Sequence, residues 1–106
     1  MSTEAFDYIV VGAGSAGSVL ANRLSADGQN SVLVLEAGRE SHPWSRVPVG
    51  FAKLIENSAA NWLYESEPEE ASGGRRIPVP RGKLLGGSSS INGMVFVRGQ
   101  AQDYDT

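Results

Sequence analysis

The sequence predicts an α/β fold built on a βαβ unit, and three observations near the N-terminus carry that prediction. Residues 8–11 form a short apolar run, Tyr-Ile-Val-Val, and residues 31–35 form a second one, Ser-Val-Leu-Val-Leu. Short, wholly apolar runs are typical of strands buried on both faces of a parallel sheet. Between them lie a glycine-rich hexapeptide and a stretch with helical apolar spacing. The order strand, turn, helix, strand defines a βαβ unit.

The hexapeptide at residues 12–17 fits the pattern G-x-G-x-x-G. Gly12 permits a tight exit from the first strand, Gly14 lets the backbone approach a pyrophosphate, and Gly17 lets the helix pack closely on the strand. The unpaired N–H groups at the start of that helix favour phosphate. In its context between a strand and a helix, the motif predicts a dinucleotide site.

The helix and the second strand complete this unit. Apolar residues follow helical spacing until Asp27-Gly28 ends the helix in a turn. Glu36 then ends the second strand, at about the 20-residue spacing expected of a dinucleotide site. A carboxylate there accepts hydrogen bonds from the adenosine ribose and repels a 2′-phosphate, which argues against NADP and leaves NAD or FAD. A βαβ unit without a ligand is the alternative.

Composition narrows the class of protein. The chain has 106 residues, 41% hydrophobic and 20% charged, which fits one domain at most and excludes a disordered chain. The absence of cysteine excludes a disulfide scaffold and a cysteine nucleophile, and with the single histidine, His42, we expect no metal site. A net charge of −3 argues against a nucleic-acid partner. The acidic N-terminus lacks the basic region of a signal peptide, so we expect a cytoplasmic protein, with membrane association of a longer parent protein left open.

The middle of the chain, residues 39–80, contains all five prolines and both tryptophans. This composition predicts ordered but irregular chain, with a short helix over 50–56, a short strand over 62–64 and an extended segment over 75–83.

A second glycine-rich segment occupies residues 82–93. Adjacent glycines, then serines, then apolar residues predict a backbone nest that leads into a helix, with Ser88 to Ser90 capping it. Two such loops indicate two approaches to one diphosphate, which a simple NAD site does not explain.

These segments together resemble a known family. Residues 82–92, Gly-Lys-x-Leu-Gly-Gly-Ser-Ser-x-Ile-Asn, resemble the first signature of the glucose–methanol–choline oxidoreductases. Residues 7–17, 35–38, 61–64 and 80–83 also match that family. The signature continues at its spacing with Phe96, Gly99 and Asp105. The resemblance covers nearly the whole chain and is closest to bacterial choline-dehydrogenase-like and alcohol-dehydrogenase-like members.

The resemblance implies that residues 1–106 are the N-terminal portion of a Rossmann-like FAD-binding domain, with the substrate domain and the catalytic C-terminal region outside this sequence. It implies FAD, with Glu36 on the adenosine ribose, the two loops on either side of the diphosphate, and residues 92–95 beside the isoalloxazine ring. The residues predicted to bind the cofactor are Gly12, Gly14, Ser15, Ala16, Gly17, Glu36, Ala37, Arg81, Gly82, Leu84, Gly86, Gly87, Ser88, Asn92, Gly93, Met94 and Val95.

The resemblance also implies a reaction. An alcohol is oxidised by hydride transfer to the flavin, and oxygen or a quinone-like carrier accepts the electrons. Some members attach flavin covalently to a histidine just before the motif asparagine; here that position is Ile91, which implies non-covalent FAD. The family's catalytic histidine belongs to the C-terminal region, so we assign no catalytic residue and expect this chain alone to be inactive. A hydroxynitrile lyase of the same family and an inert nucleotide-binding fragment stay open as alternatives.

Overall fold

The computed structural model describes residues 4–105, so Met1 to Thr3 and Thr106 of the predicted domain lie outside the described residues. The strands and α-helices are β1 (Tyr8–Val11), α1 (Ser15–Ser25), β2 (Val32–Leu35), α2 (Phe51–Leu54), β3 (Tyr64–Glu65) and β4 (Pro78–Val79). Turns of 3₁₀-helix lie at Pro43–Arg46, Pro48–Gly50, Glu70–Ser72, Gly87–Ser90 and Ala101–Asp103. β1 pairs with β2, and β3 pairs with β4 in antiparallel fashion.

The predicted βαβ unit is confirmed. β1 and β2 are parallel, in a register that runs from Tyr8 opposite Val32 to Val11 opposite Leu35. The Gly12 amide continues the ladder by donating to the Leu35 carbonyl at 2.7 Å. α1 packs against this pair of strands and brings the first glycine loop to their carboxyl ends.

The start of β1 is tied to the start of β2 by a side chain. The Asp7 carboxylate accepts hydrogen bonds from the Ser31 backbone N–H at 2.8 Å and from the Ser31 hydroxyl at 2.7 Å. The Ser31 N–H, followed by the hydroxyl, stabilises the charged form and lowers the pKa of Asp7 below its usual value.

Much of the β1–β2 pair remains uncovered. Ile9 is 59% exposed and Val11 is 83% exposed. α1 buries none of its residues completely. Strands of this composition are normally covered on both faces, so this surface lacks the neighbours that the sequence pattern predicts.

The small buried core lies elsewhere, around the second glycine loop. Leu54 of α2, Ala60, Leu84 and Ile91 form one buried cluster. They come from three separate stretches of chain, and Leu84 lies within the glycine-rich loop itself. The packing therefore fixes this irregular region more firmly than it fixes the exposed face of the sheet.

The predicted helix after the second glycine loop is wrong. Gly87–Ser90 forms a single 3₁₀ turn, and the described chain after it contains no α-helix. The Ser89 and Ser90 hydroxyls donate back to preceding carbonyls, at 2.6 and 2.9 Å, instead of capping backbone N–H groups. Met94 has a φ of 54°, in the left-handed region, which a right-handed helix cannot include.

The smaller elements of the middle region are shorter than predicted, and one strand begins later than predicted. The helix predicted over 50–56 is limited to Phe51–Leu54. The strand predicted over 62–64 begins only at Tyr64, because Leu63 has a φ of 56° and breaks the extended backbone. β4 lies inside the predicted extended segment.

Candidate functional site

A cavity of about 390 Å³ lies where the carboxyl ends of β1 and β2 meet the second glycine loop. Val11, Leu35, Trp62 and Tyr64 contribute apolar and aromatic walls. The predicted cofactor-binding residues that line it are Gly12, Gly14, Glu36, Ala37, Arg81, Gly82, Gly87 and Ser88. Residues from both glycine loops and the strand-end carboxylate are thus brought together, as the sequence predicted.

The first glycine loop, residues 12–17, has the turn and packing that its motif requires. Gly12 has a φ of 94°, a conformation that favours glycine. A Cβ on Gly17 would overlap the carbonyl oxygen of Gly12, so the helix can approach the strand only without a side chain there. A Cβ on Gly14 would make only ordinary contact, 3.9 Å from the Gly87 Cα. The part assigned to Gly14 in approaching a pyrophosphate stays a prediction.

Glu36 holds this loop in place. Its Oε2 accepts a hydrogen bond from the Ala13 amide and its Oε1 accepts one from the Gly38 amide, both at 2.8 Å. The carboxylate thereby fixes the turn after β1 to the end of β2. An ionised carboxylate has about four acceptor sites, so it retains capacity for ribose hydroxyls. Its contact with ribose stays a prediction.

The second glycine loop, residues 82–88, approaches the first through the backbone. The Gly86 amide donates to the Ala13 carbonyl at 2.8 Å. A Cβ on Gly87 would lie 2.9 Å from the Gly14 Cα. Gly86 and Gly87 have φ values of 90° and 57°, a conformation that favours glycine at both, and Gly87 also needs glycine for space. The two loops therefore form a junction free of side chains.

Other predicted residues lie around this cavity or away from it. Ser15 and Ala16 begin α1, Leu84 is buried in the core, and Gly86 bridges to Gly14. The segment predicted to flank the flavin ring, residues 92–95, does not line this cavity. Asn92 and Met94 line a hollow beside Trp44 and Phe51, and Val95 is 82% exposed. Asn92 and Gly93 line a second hollow, which shares Arg81 and Ser88 with the cavity. The placing of this segment beside the flavin ring stays a prediction.

An aromatic pair in the cavity wall was not among the predicted site residues. The rings of Trp62 and Tyr64 are stacked, with centroids 5.9 Å apart and planes at 4°. Lys83 Nζ lies 4.5 Å from the centroid of the Trp62 ring. The sequence does show two aromatic residues separated by one position, just after Asn61. From the sequence, this segment contributed only to the family resemblance and was not assigned to the site.

Among residues 4–105, every helix is too short or too polar to cross a membrane. The cytoplasmic location stays a prediction.

Comparison with known proteins gives a consistent family. The family model described as GMC oxidoreductase matches residues 6–106. An oxygen-dependent choline dehydrogenase of Staphylococcus xylosus is 50% identical over 105 residues, covering 96% of this chain and 19% of the relative. An alcohol dehydrogenase [acceptor] of Pseudomonas putida is 52% identical over 100 residues, covering 93% of this chain and 18% of the relative. The chain thus spans about a fifth of the length of these curated relatives.

Solved structures agree in fold. Pyridoxine 4-oxidase from Mesorbium loti superposes with a TM-score of 0.82 at 39% identity, over 95% of this chain and 20% of that chain. A formate oxidase gives a TM-score of 0.73 at 34% identity, over 86% of this chain and 17% of that one. The predicted fold class, the N-terminal portion of a Rossmann-like FAD-binding domain, is confirmed. On its sequence, its fold and the meeting of its two glycine loops, the chain belongs to the GMC oxidoreductase family.

Proposed function

We propose that this chain is the N-terminal, FAD-holding part of an oxidoreductase that oxidises the CH–OH group of a small-molecule alcohol. The observation that carries the proposal is the single cavity that gathers both glycine loops and Glu36. The names of the relatives, choline dehydrogenase and alcohol dehydrogenase, support an alcohol substrate, with oxygen or a quinone-like carrier as acceptor.

The residues present fit a flavin dinucleotide. A side chain on Gly87 would force the two loops apart, since its Cβ would lie 2.9 Å from the Gly14 Cα. The first backbone N–H groups of α1, which begins at Ser15 directly after Gly14, suit a diphosphate. Arg81 lines the same cavity, and its side chain carries a positive charge; its Nη1 donates to the Pro80 carbonyl at 2.7 Å. Glu36 is in place to accept hydrogen bonds from a ribose.

When bound, FAD supplies the hydride acceptor that the oxidation of an alcohol needs. The residues of this chain hold and orient the dinucleotide. They provide no base suited to the alcohol proton, because His42 instead caps the 3₁₀ turn that follows it, its Nδ1 accepting from the Trp44 amide at 3.3 Å. We therefore assign the base, the substrate pocket and the strands that cover Ile9 and Val11 to further sequence of the complete protein.

The flavin is bound non-covalently in this proposal. Ile91 stands where some members carry the attaching histidine, and its hydrocarbon side chain is buried in the core with Leu54 and Leu84. Precipitating the full-length holoprotein with acid should leave the yellow colour in the supernatant. Colour in the pellet would contradict this part.

The reaction is tested on the full-length protein purified with its flavin. Adding choline or a simple primary alcohol without oxygen should bleach the flavin absorbance, and aldehyde should form with turnover once an acceptor is supplied. Release of aldehyde from a cyanohydrin without bleaching would identify the lyase instead. A full-length protein that retains no FAD would favour the inert nucleotide-binding alternative.

A further inference from the structure

Asn61 is the single buried polar side chain among residues 4–105, and it directly precedes Trp62 of the cavity wall in the sequence. It is 2% exposed. A buried amide is costly unless its hydrogen-bonding groups are satisfied, and these are. Its Nδ2 donates to the Ile55 carbonyl at 2.6 Å, and its Oδ1 accepts from the Leu63 amide at 3.1 Å and from the Arg81 amide at 2.9 Å.

These three bonds divide by function. The Nδ2 bond anchors the residue to the end of α2. The two Oδ1 bonds hold the backbone of the cavity wall, because Leu63 separates the two stacked rings and Arg81 lines the cavity. The bond to Leu63 closes a side-chain turn in which Leu63 adopts its left-handed φ of 56°. A leucine remains in that conformation only where surrounding contacts enforce it.

The local consequence is the position of the aromatic rings. The left-handed residue lies between Trp62 and Tyr64, and both rings line the cavity in one parallel stack. The same region is closed by backbone bonds, since the Trp62 amide donates to the Arg81 carbonyl at 2.9 Å and the Lys83 amide donates to the Ala60 carbonyl at 2.8 Å. The ammonium of Lys83 then lies against the Trp62 ring.

We propose that Asn61 is a positioning residue for nucleotide binding: through its Oδ1 it sets the Trp62–Tyr64 wall beside Glu36, and so sets the affinity of the cavity for the adenosine half of the dinucleotide. This inference rests on the proposed function. Glu36 and the aromatic pair line one cavity, which gives a sugar a carboxylate and gives a base an aromatic surface.

The test compares variants in the full-length apoprotein, with ADP as the probe for the adenosine half, FMN as the probe for the flavin half, and FAD for the whole. Asn61→Ala removes all three side-chain bonds. Asn61→Asp retains an oxygen for Leu63 and Arg81 but loses the N–H donated to Ile55. Asn57→Ala is the matched control, because it removes another asparagine side chain from the same loop. The Asn57 Oδ1 accepts from the Ala59 amide at 2.9 Å, and Asn57 does not line the cavity.

We expect Asn61→Ala to weaken ADP and FAD binding about tenfold or more and to change FMN binding less than twofold. Asn61→Asp should lower the melting temperature yet bind ADP within about threefold of the wild type. Asn57→Ala should bind all three probes normally. If Asn61→Ala does not fold, a loss of ADP affinity of more than about threefold in Asn61→Asp, which keeps an oxygen for Leu63 and Arg81, would overturn the inference.

Wild-type ADP affinity in Asn61→Ala would overturn the inference. So would equal losses for ADP and FMN that follow the melting temperature, because they would indicate a purely structural role. A wild-type apoprotein that binds neither FAD nor ADP would instead contradict the proposed function itself.

Discussion

The first glycine loop is held within one supersecondary unit, whereas the second is held by segments that are distant in sequence. Residues 12–17 are fixed by the strands and helix on either side of them, by Glu36 at the end of β2, and by the packing of Gly17 on Gly12. Residues 82–88 are fixed by backbone bonds to Ala13, Arg39 and Ala60, three separate parts of the chain. One site is thus built from a local motif and from a loop held by long-range contacts. Substitutions in the two loops should therefore differ in how much they lower stability and cofactor affinity.

The largest expected effect comes from a methyl group inside the second glycine loop, the loop that distant segments hold in place. In Gly82→Ala the new Cβ would overlap the Gly87 carbonyl and lie 2.7 Å from the Ser88 nitrogen, both of them backbone atoms. We expect a loss of about 3 kcal/mol in stability, measured as a clear fall in the melting temperature of the full-length apoprotein. A melting temperature of Gly82→Ala equal to that of the wild type would contradict this close backbone packing within the second loop.

The corresponding change in the local loop should cost less. Gly17→Ala overlaps the Gly12 carbonyl oxygen, but alanine is favoured over glycine in a helix by about 1 kcal/mol, which offsets part of the clash. We expect a net loss of about 1–2 kcal/mol, seen in the same melting experiment. If Gly17→Ala proves the more damaging of the two, the first loop, and not the second, controls stability.

Gly14→Ala separates binding from stability. Its methyl group would meet nothing closer than the Gly87 Cα at 3.9 Å, so the melting temperature should change little. The methyl would nevertheless stand on the wall of the cavity in which we propose that the diphosphate lies. FAD affinity should fall about tenfold, or about 1.4 kcal/mol, in a flavin fluorescence titration. Wild-type affinity would show that the diphosphate does not pass this position.

Glu36→Gln replaces the carboxylate that joins the first loop to β2 with a neutral amide. One oxygen becomes an amide N–H facing a backbone N–H, so one of the two bonds at 2.8 Å is lost, at a cost of about 1 kcal/mol. FAD retained after gel filtration should also fall. Glu40→Gln, at an exposed glutamate nearby, is the control. Unchanged FAD content would count against contact with the ribose.

The smallest expected effect is on the acid stability of the βαβ unit, through Asp7 at the end of the unit opposite the glycine loop. Because the pKa of Asp7 is lowered in the folded protein, its ionised form stabilises the fold above the usual pKa of aspartate. That contribution is lost as the pH falls through the folded-state pKa. Asp7→Asn should therefore show a weaker decline of melting temperature in acid than the wild type, and parallel curves would contradict the Ser31 contact.

The same contrast explains how much the sequence could predict. The βαβ unit, the tasks of Gly12 and Gly17 and the placing of Glu36 follow from spacing and glycine chemistry, since they depend on neighbours within one motif. The helix predicted after Ser88 was wrong. A serine hydroxyl can accept from a backbone N–H as a helix cap or donate to a preceding carbonyl, and the sequence alone does not show which of the two it does. The wall of Trp62 and Tyr64 depends on a buried amide and a left-handed leucine, which no periodicity indicates.

The three isolated bridges that seat the second glycine loop, Gly14 to Gly86, Arg39 to Leu84 and Asn61 to Gly82, also bear on the order of folding. Gly14 to Gly86 and Arg39 to Leu84 join residues much further apart in the chain than β1 and β2 are, so more entropy is lost in closing those two loops. Asn61 to Gly82 spans about as much chain as the βαβ unit does. The βαβ unit should therefore form before the two longer bridges. During synthesis, the cavity between the two glycine loops would then assemble only after the second loop has left the ribosome. Until that point the first glycine loop would be exposed to solvent.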